Sequence, residues 1–392
     1  MPLRDAIASG RPLIDVRLRF EHVSQDDKAR DAAAATIRAR LGYQTGQFRG
    51  FTGLMELDLV DHIGPRRFND TVNGLTEYPT IPDPDMAVLD RLQLSYAARI
   101  AHRRADDSPD LRVTLGRQRI VFGDARFVGN APWRQHEQTF DAVLVSNTSL
   151  PGVALSYAYV SRVNRMFGPA SPIGTFDSDS HLLNAVYDGL LPALKLESYA
   201  YLLDLEEAPP LSTATFGARG EAMFQLGSGF VVRLNGAFAH QADRAHNPLP
   251  ISLGYHLAEA GLGFGEFGAF LGREAFEGDG TIGFQTPLAS PHAFQGWAEV
   301  FVTKPADGLI DHYAKAAYGF PPLQRLGKFT ASLAYHEFSA QRTDAGLGHE
   351  WDAALEARLD ENFSYGGSLA LYEGGGPYPS KHVFWLYATY VY

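Results

Sequence analysis

The chain has 392 residues, 45% hydrophobic and 20% charged, enough to bury a large core and to allow two or three domains by length alone. Acidic residues outnumber basic ones by 45 to 34, a net charge of −11, which argues against a nucleic-acid binder and its basic face. There is no cysteine, which excludes a disulfide scaffold, a thiolate metal site and a cysteine nucleophile.

No apolar run approaches the roughly 20 residues of a membrane-spanning helix. The opening Met1-Pro2-Leu3-Arg4-Asp5 lacks a signal-peptide pattern, leaving a cytosolic protein or one whose signal has been removed. The pattern below favours the second. With 39 glycines, 18 tyrosines and 25 phenylalanines, the composition points to an all-β protein with aromatic girdles.

Residues 1–10 read as a short segment before the first strand. From there the strongest signal has period two, which puts alternate side chains on opposite faces of a strand. In Ile14-Asp15-Val16-Arg17-Leu18-Arg19-Phe20-Glu21 every second residue is apolar and the others are charged. Ile37, Ala39, Leu41 and Tyr43 oppose Thr36, Arg38 and Arg40; Met55, Leu57 and Leu59 oppose Glu56 and Asp58; Leu92, Leu94 and Tyr96 oppose Arg91 and Gln93. Later come Val153 to Tyr159, Phe230 to Leu234 opposing Arg233, Trp351 to Leu359 opposing Asp352 and Arg358, and Phe384 to Tyr392. Ala32 to Ala35 has room for one helical turn, and no longer stretch has a helical period.

Short turns such as Thr45-Gly46-Gln47 and Asp360-Glu361-Asn362 alternate with long polar stretches at 60–86, 122–137, 162–179, 277–292 and 340–348. Short turns at one end and long loops at the other describe a transmembrane antiparallel β-barrel with short periplasmic turns and longer extracellular loops. A literal count gives near 19 segments, with the ambiguity in 264–303. Closure with both ends in the periplasm needs an even number, so the expectation is 18 strands forming a single barrel domain over 1–392.

A soluble sandwich also alternates, but its strands are shorter and share a dry core. Here Arg17, Arg19, Arg38, Arg40, Arg91, Arg112, Arg233 and Arg358 fall on the same face as charged neighbours, strand after strand. A dry interior does not hold that many charges, whereas a barrel of about 16–18 strands encloses water. The C-terminal Tyr390 and Tyr392 fit the aromatic signal that outer-membrane proteins present to their insertion machinery.

Residues 115–142 carry a family resemblance. Leu115-Gly116-Arg117-Gln118-Arg119-Ile120 is followed by Gly123-Asp124-Ala125-Arg126-Phe127-Val128-Gly129, then Trp133-Arg134-Gln135 and Gln138-Thr139-Phe140-Asp141-Ala142. Later segments agree in order: His292 to Trp297, Asp307 to Asp311, and Tyr335-His336-Glu337-Phe338. This resembles the alginate-export family of outer-membrane barrels. The resemblance implies an 18-stranded monomer in a Gram-negative outer membrane, passing an anionic polyuronate through an arginine-rich pore. Two departures stand against export. The chain is short for that exporter, and the connections at 320–328 and 360–362 leave no room for its plugging loop.

The expected solute path is lined by Arg17, Arg19, Arg38, Arg40, Arg91, Arg112, Arg117, Arg119, Arg126, Arg134, Arg233 and Arg358. Arginine stays charged and offers a bidentate fork to carboxylates, and rings of it select anions. Asp15, Glu21, Glu56, Asp58 and Asp141 share the inward face, so the competing reading is cross-strand bracing. A bulge near Gly116 would turn Arg117 and Arg119 inward. Trp133 fits either a constriction in loop 122–137 or a girdle anchor; His292, Gln295 and Trp297 fit an infolded segment.

Neither Gly-x-Gly-x-x-Gly match, at 263–268 and 278–283, lies in a βαβ unit, and no zinc or nucleophile-elbow motif occurs. No catalytic residue, metal or cofactor is expected. The reading is therefore an outer-membrane channel for a hydrophilic, anionic solute, resembling exporters of acidic polysaccharide. The alternatives are a porin-like uptake channel for small organic acids or sugars, and a barrel-embedded hydrolase. Outer-membrane lipid is the expected surrounding, the barrel is expected to be a monomer, and any periplasmic export partner is left open.

Overall fold

The computed structural model describes residues 2–100 and 108–392. Eighteen antiparallel strands form one sheet that closes on itself. In chain order they are β1 (Arg11–Gln25), β2 (Ala32–Gln44), β3 (Phe51–His62), β4 (Met86–Ala98), β5 (Leu111–Gln118), β6 (Thr139–Asn147), β7 (Val153–Asn164), β8 (Thr175–Leu191) and β9 (Leu194–Leu202). There follow β10 (Thr213–Leu226), β11 (Phe230–Asp243), β12 (Ser252–Phe264), β13 (Phe267–Phe276), β14 (Leu309–Gly319), β15 (Lys328–Ser339), β16 (Gly346–Arg358), β17 (Phe363–Gly374) and β18 (Lys381–Val391). Each strand pairs with its sequence neighbours, and β1 pairs with β18 from Asp15↔Val391 to Gln25↔Lys381, which leaves no free edge.

The alternation read from the sequence is the alternation of the wall. Leu18, Phe20, Met55, Leu92, Leu94, Leu355 and Leu386 lie exposed on the outside, as a lipid-facing belt requires, while Arg19, Arg38, Glu56 and Asp58 are buried inside. The ambiguous stretch 264–303 contains one strand, β13, followed by a long connection, 277–308, that carries only a 3₁₀ turn at Pro291–Ala293. Ala32 to Ala35 open β2 rather than forming a helical turn. A helix that periodicity did not show, α1 (Leu3–Ala8), sits within the first ten residues and accepts a hydrogen bond at Ala6 O from Gly46 N in the β2–β3 turn (2.8 Å).

The long connections share one end of the barrel, and two of them, 119–138 and 277–308, pack inside it. They pair with each other at Val128↔Leu288, where Gly129 N donates to Leu288 O (2.8 Å). Phe127, Phe284 and Phe301 are the apolar anchors. Phe127 packs on Tyr199, Tyr255 and Phe284, and Phe301 on Phe338 and Tyr378, at centroid separations of 4.7–6.0 Å. The apolar core thus lies inside the wall, between the loops and strands around the barrel, from Val23 and Ala34 through Phe140 and Val160 to Tyr255 and Trp385, and the open passage is reduced to what these loops leave.

Candidate functional site

The arginines of β1 and β2 face the infolded loop 119–138. Arg17 and Arg38 stand directly opposite each other, an arrangement of like charges that costs stability on a sheet. Arg38 pairs with Asp15. Arg17 donates to Gln135 Oε1 (2.9 Å), Pro132 O (3.1 Å) and Arg134 O. Among the described residues no carboxylate lies within ion-pair distance of Arg17. Arg19 donates to Trp133 O (2.6 Å), pairs with Asp83 and lies 3.4 Å from Glu21. Arg40 donates to Asp58 (3.2 Å) and Gln135 O (3.0 Å) and lies 3.6 Å from Glu137.

A second group lies on β3 to β6. Arg91 holds Glu56 with two hydrogen bonds (2.8 and 2.7 Å), and Arg117 holds Asp141 with two more (2.7 and 2.9 Å). Arg119 reaches Glu56 (3.3 Å) and Glu137. The bulge expected near Gly116 is absent, since the ladders to β4 and β6 run through it in register, but at φ +109° a Cβ there would meet Leu92 O at 2.2 Å, so only glycine fits. Burial alone would raise the Glu137 carboxyl, but Arg40 and Arg119 outweigh it and hold the group at about 2.

The two infolded loops meet in a third group. Arg134 pairs with Glu21 (3.3 Å) and Glu299, and Arg126 with Glu274 (2.5 Å), its guanidinium lying 4.0 Å over the Phe294 ring. Trp133 stacks on His292 at 4.1 Å, with Trp385 edge-on at 5.5 Å, so it is an interior residue and not a girdle anchor. Burial lowers His292, while Arg134 and His292 together hold Glu299 well below the carboxylate range despite its burial. Gln295 accepts from Lys304 Nζ (3.1 Å), and burial pushes that ammonium down to about 8 against the pull of Glu274. Trp297 N donates to Asp352 (3.3 Å).

Three expected arginines stand apart from these groups. Arg112 and Arg233 are exposed in their strands, and Arg358 caps the short turn after β16 through Asp360 O (3.2 Å). Tyr390 and Tyr392 are exposed at the end of the last strand. The sequence reading passed over Asp83, Gln135, Glu137, Glu274, Glu299, Lys304, Asp311 and Glu350. Most of these lie in loops, where no alternation marks a face. The polar run Gln135-His136-Glu137-Gln138, fully buried, was the one signal available.

No protein-family model and no curated protein matches the sequence. Solved structures do match in fold. OpdL of Pseudomonas aeruginosa superposes with a TM-score of 0.71 at 14% identity, over 98% of this chain and 99% of that one. OpdK of the same organism, solved with vanillate, gives 0.72 at 14% over 97% and 98%. OccAB4 of Acinetobacter baumannii gives 0.72 at 13%, over 98% of each chain. These neighbours correct the family expectation: the chain resembles Opd and Occ barrels, not the alginate exporters, although the 18-stranded wall is common ground. The block at 115–142 misled for a physical reason. It is β5, the infolded loop and β6, and its arginines and carboxylates seat that loop, a demand unrelated to a polysaccharide. The chain has the closed 18-stranded fold of outer-membrane barrels.

Proposed function

We propose that this barrel is a monomeric porin in the outer membrane of a Gram-negative bacterium, and that it takes up small organic acids. The observation that carries the reading is Arg17. It faces Arg38 across the β1–β2 pair and has hydrogen bonds but no carboxylate partner among the described residues. An uncompensated cation in a constricted lumen focuses positive potential on the path. The infolded loops favour a small solute over a polymer, and the neighbour OpdK was solved with vanillate, an aromatic carboxylate. Arg19, Arg38, Arg40, Arg91, Arg117, Arg119, Arg126 and Arg134 serve mainly as braces, each tied to a carboxylate. Hydrolysis has no part in this reading.

Single-channel recording in planar bilayers tests it. The expected result is a reversal potential on the chloride side in a potassium chloride gradient, with concentration-dependent block by vanillate. Arg17→Gln should weaken both while leaving the barrel folded. Cation selectivity, or identical block in the variant, defeats the proposal.

A further inference from the structure

A second charged feature lies on the outside of the wall. On β13 and β14, near their long-loop ends, Arg273 and His312 are exposed, outward-facing and directly opposite each other. His256 on β12 lies diagonal to Arg273, whose direct partner there is Ala258. On the other side His312 faces Glu337 on β15, which faces His349 on β16. Among the described residues Arg273 and His312 have no ion pair and no side-chain hydrogen bond. Two other outward histidines are engaged, His382 with Glu373 at 2.9 Å and His181 with the Tyr157 hydroxyl at 2.8 Å.

Immediately along the same strands, toward the middle of the wall, lies an apolar groove of about 590 Å³. Its floor is made of alanines, including Ala260, Ala314 and Ala316, and its sides of Leu271, Tyr335 and Trp351. Leu271 is two residues from Arg273, and Ala314 two residues from His312. A step of two residues along a strand is about 7 Å. Arg273 and His312 therefore stand at the mouth of the groove, at the end of the barrel that carries the long loops.

We propose that this face binds one phosphorylated lipid of the outer leaflet, its phosphate on Arg273 and His312 and an acyl tail in the groove. Arginine and protonated histidine make charge-assisted hydrogen bonds to phosphate, and the alanine floor gives a hydrocarbon tail a seat that a uniformly leucine-lined wall lacks. A second copy of the chain is a poorer occupant, because a two-fold contact through this face would bring the same cations together. Glu337 is the one acid in the row and stands two strands from Arg273.

Native mass spectrometry of the intact barrel in detergent, with added bisphosphorylated lipid A or its dephosphorylated form, tests the proposal. The expected result is one retained bisphosphorylated lipid per barrel and about fivefold to tenfold weaker retention of the dephosphorylated form. Arg273→Gln with His312→Gln should reduce the first to the level of the second. Ala314→Phe should weaken retention of both by filling the groove with the cations intact. Arg325→Gln, in the short turn at the opposite end, should change nothing. Equal retention of the two lipids by the unaltered barrel, or unaltered retention in the double variant, overturns the proposal.

Discussion

Arg17 and Arg40 sit on neighbouring strands and face the same loop, yet their partners set them apart. Arg40 is tied to Asp58 and Glu137, so its charge is neutralised by wall and loop, while Arg17 is held by Gln135 and two loop carbonyls and keeps its charge without a carboxylate beside it among the described residues. Glu137 is the matching loop residue, held by Arg40, Arg119 and the Asn130 amide (2.6 Å), with Asp90 beside it. Its carboxyl is depressed from the ordinary 4.5 to about 2 in the folded barrel. A depressed carboxylate stabilises the seated loop fully above its unfolded value. That contribution is lost as pH falls from about 4.5 through 2. The loop 119–138 is therefore expected to stay seated at pH 5 and to loosen near pH 2.5, read as increased open-channel current noise. Glu137→Gln should show that noise already at neutral pH. A quiet channel at pH 2.5, or a quiet variant, would remove Glu137 from the seat.

At the scale of the element, each strand announces itself because lipid outside and water inside impose unlike residues on its two faces. That is why β1, β2, β4 and β16 were legible residue by residue, and why Arg38, Glu56 and Asp58 were placed on the inner face from sequence alone. The failures have physical causes of their own. Glycines at 261, 263, 265, 268 and 272 present no side chain to alternate, which blurred the count near β13. The helix Leu3–Ala8 is too short to show a period. Loop 119–138 meets partners more than a hundred residues away, such as Arg17 with Gln135, and no local pattern encodes such a contact. Strand position also fixes the cost of a lipid-facing charge. Leu92 lies at the centre of β4 and is half exposed to lipid, whereas Leu41 lies three residues from the short-turn end of β2. Leu92→Arg should cost about 2–4 kcal/mol and Leu41→Arg about 0–1, measured by reversible denaturation in lipid vesicles. Equal costs would mean that the bilayer is not centred on these strands as described.

Across the whole molecule the lumen has two unlike walls. Arg17, Arg19, Arg38, Arg40, Arg91 and Arg117 gather on β1, β2, β4 and β5, interleaved with Asp15, Glu21, Glu56, Asp58 and Asp90, whereas among the described residues Glu259, Glu274, Asp311, Glu350, Asp352 and Glu356 on β12 to β16 have no arginine paired to them from their own strands. The infolded loops run between them and carry charge of both signs, so the net charge of −11 does not by itself decide which ion passes. Selectivity then depends on which wall the open path follows. Glu350 and Asp352 can be neutralised with little disturbance, because Glu350 accepts from Ala298 N (2.7 Å) and Asp352 from Trp297 N (3.3 Å), and an amide oxygen accepts equally well. If solute moves between the walls, Glu350→Gln with Asp352→Asn should shift the reversal potential further toward chloride, opposite in sign to Arg17→Gln. If it hugs the arginine wall, the acidic pair will be silent and Arg17→Gln alone will act. A double variant that shifts selectivity toward potassium contradicts both geometries, since removing negative charge from a path can only favour anions.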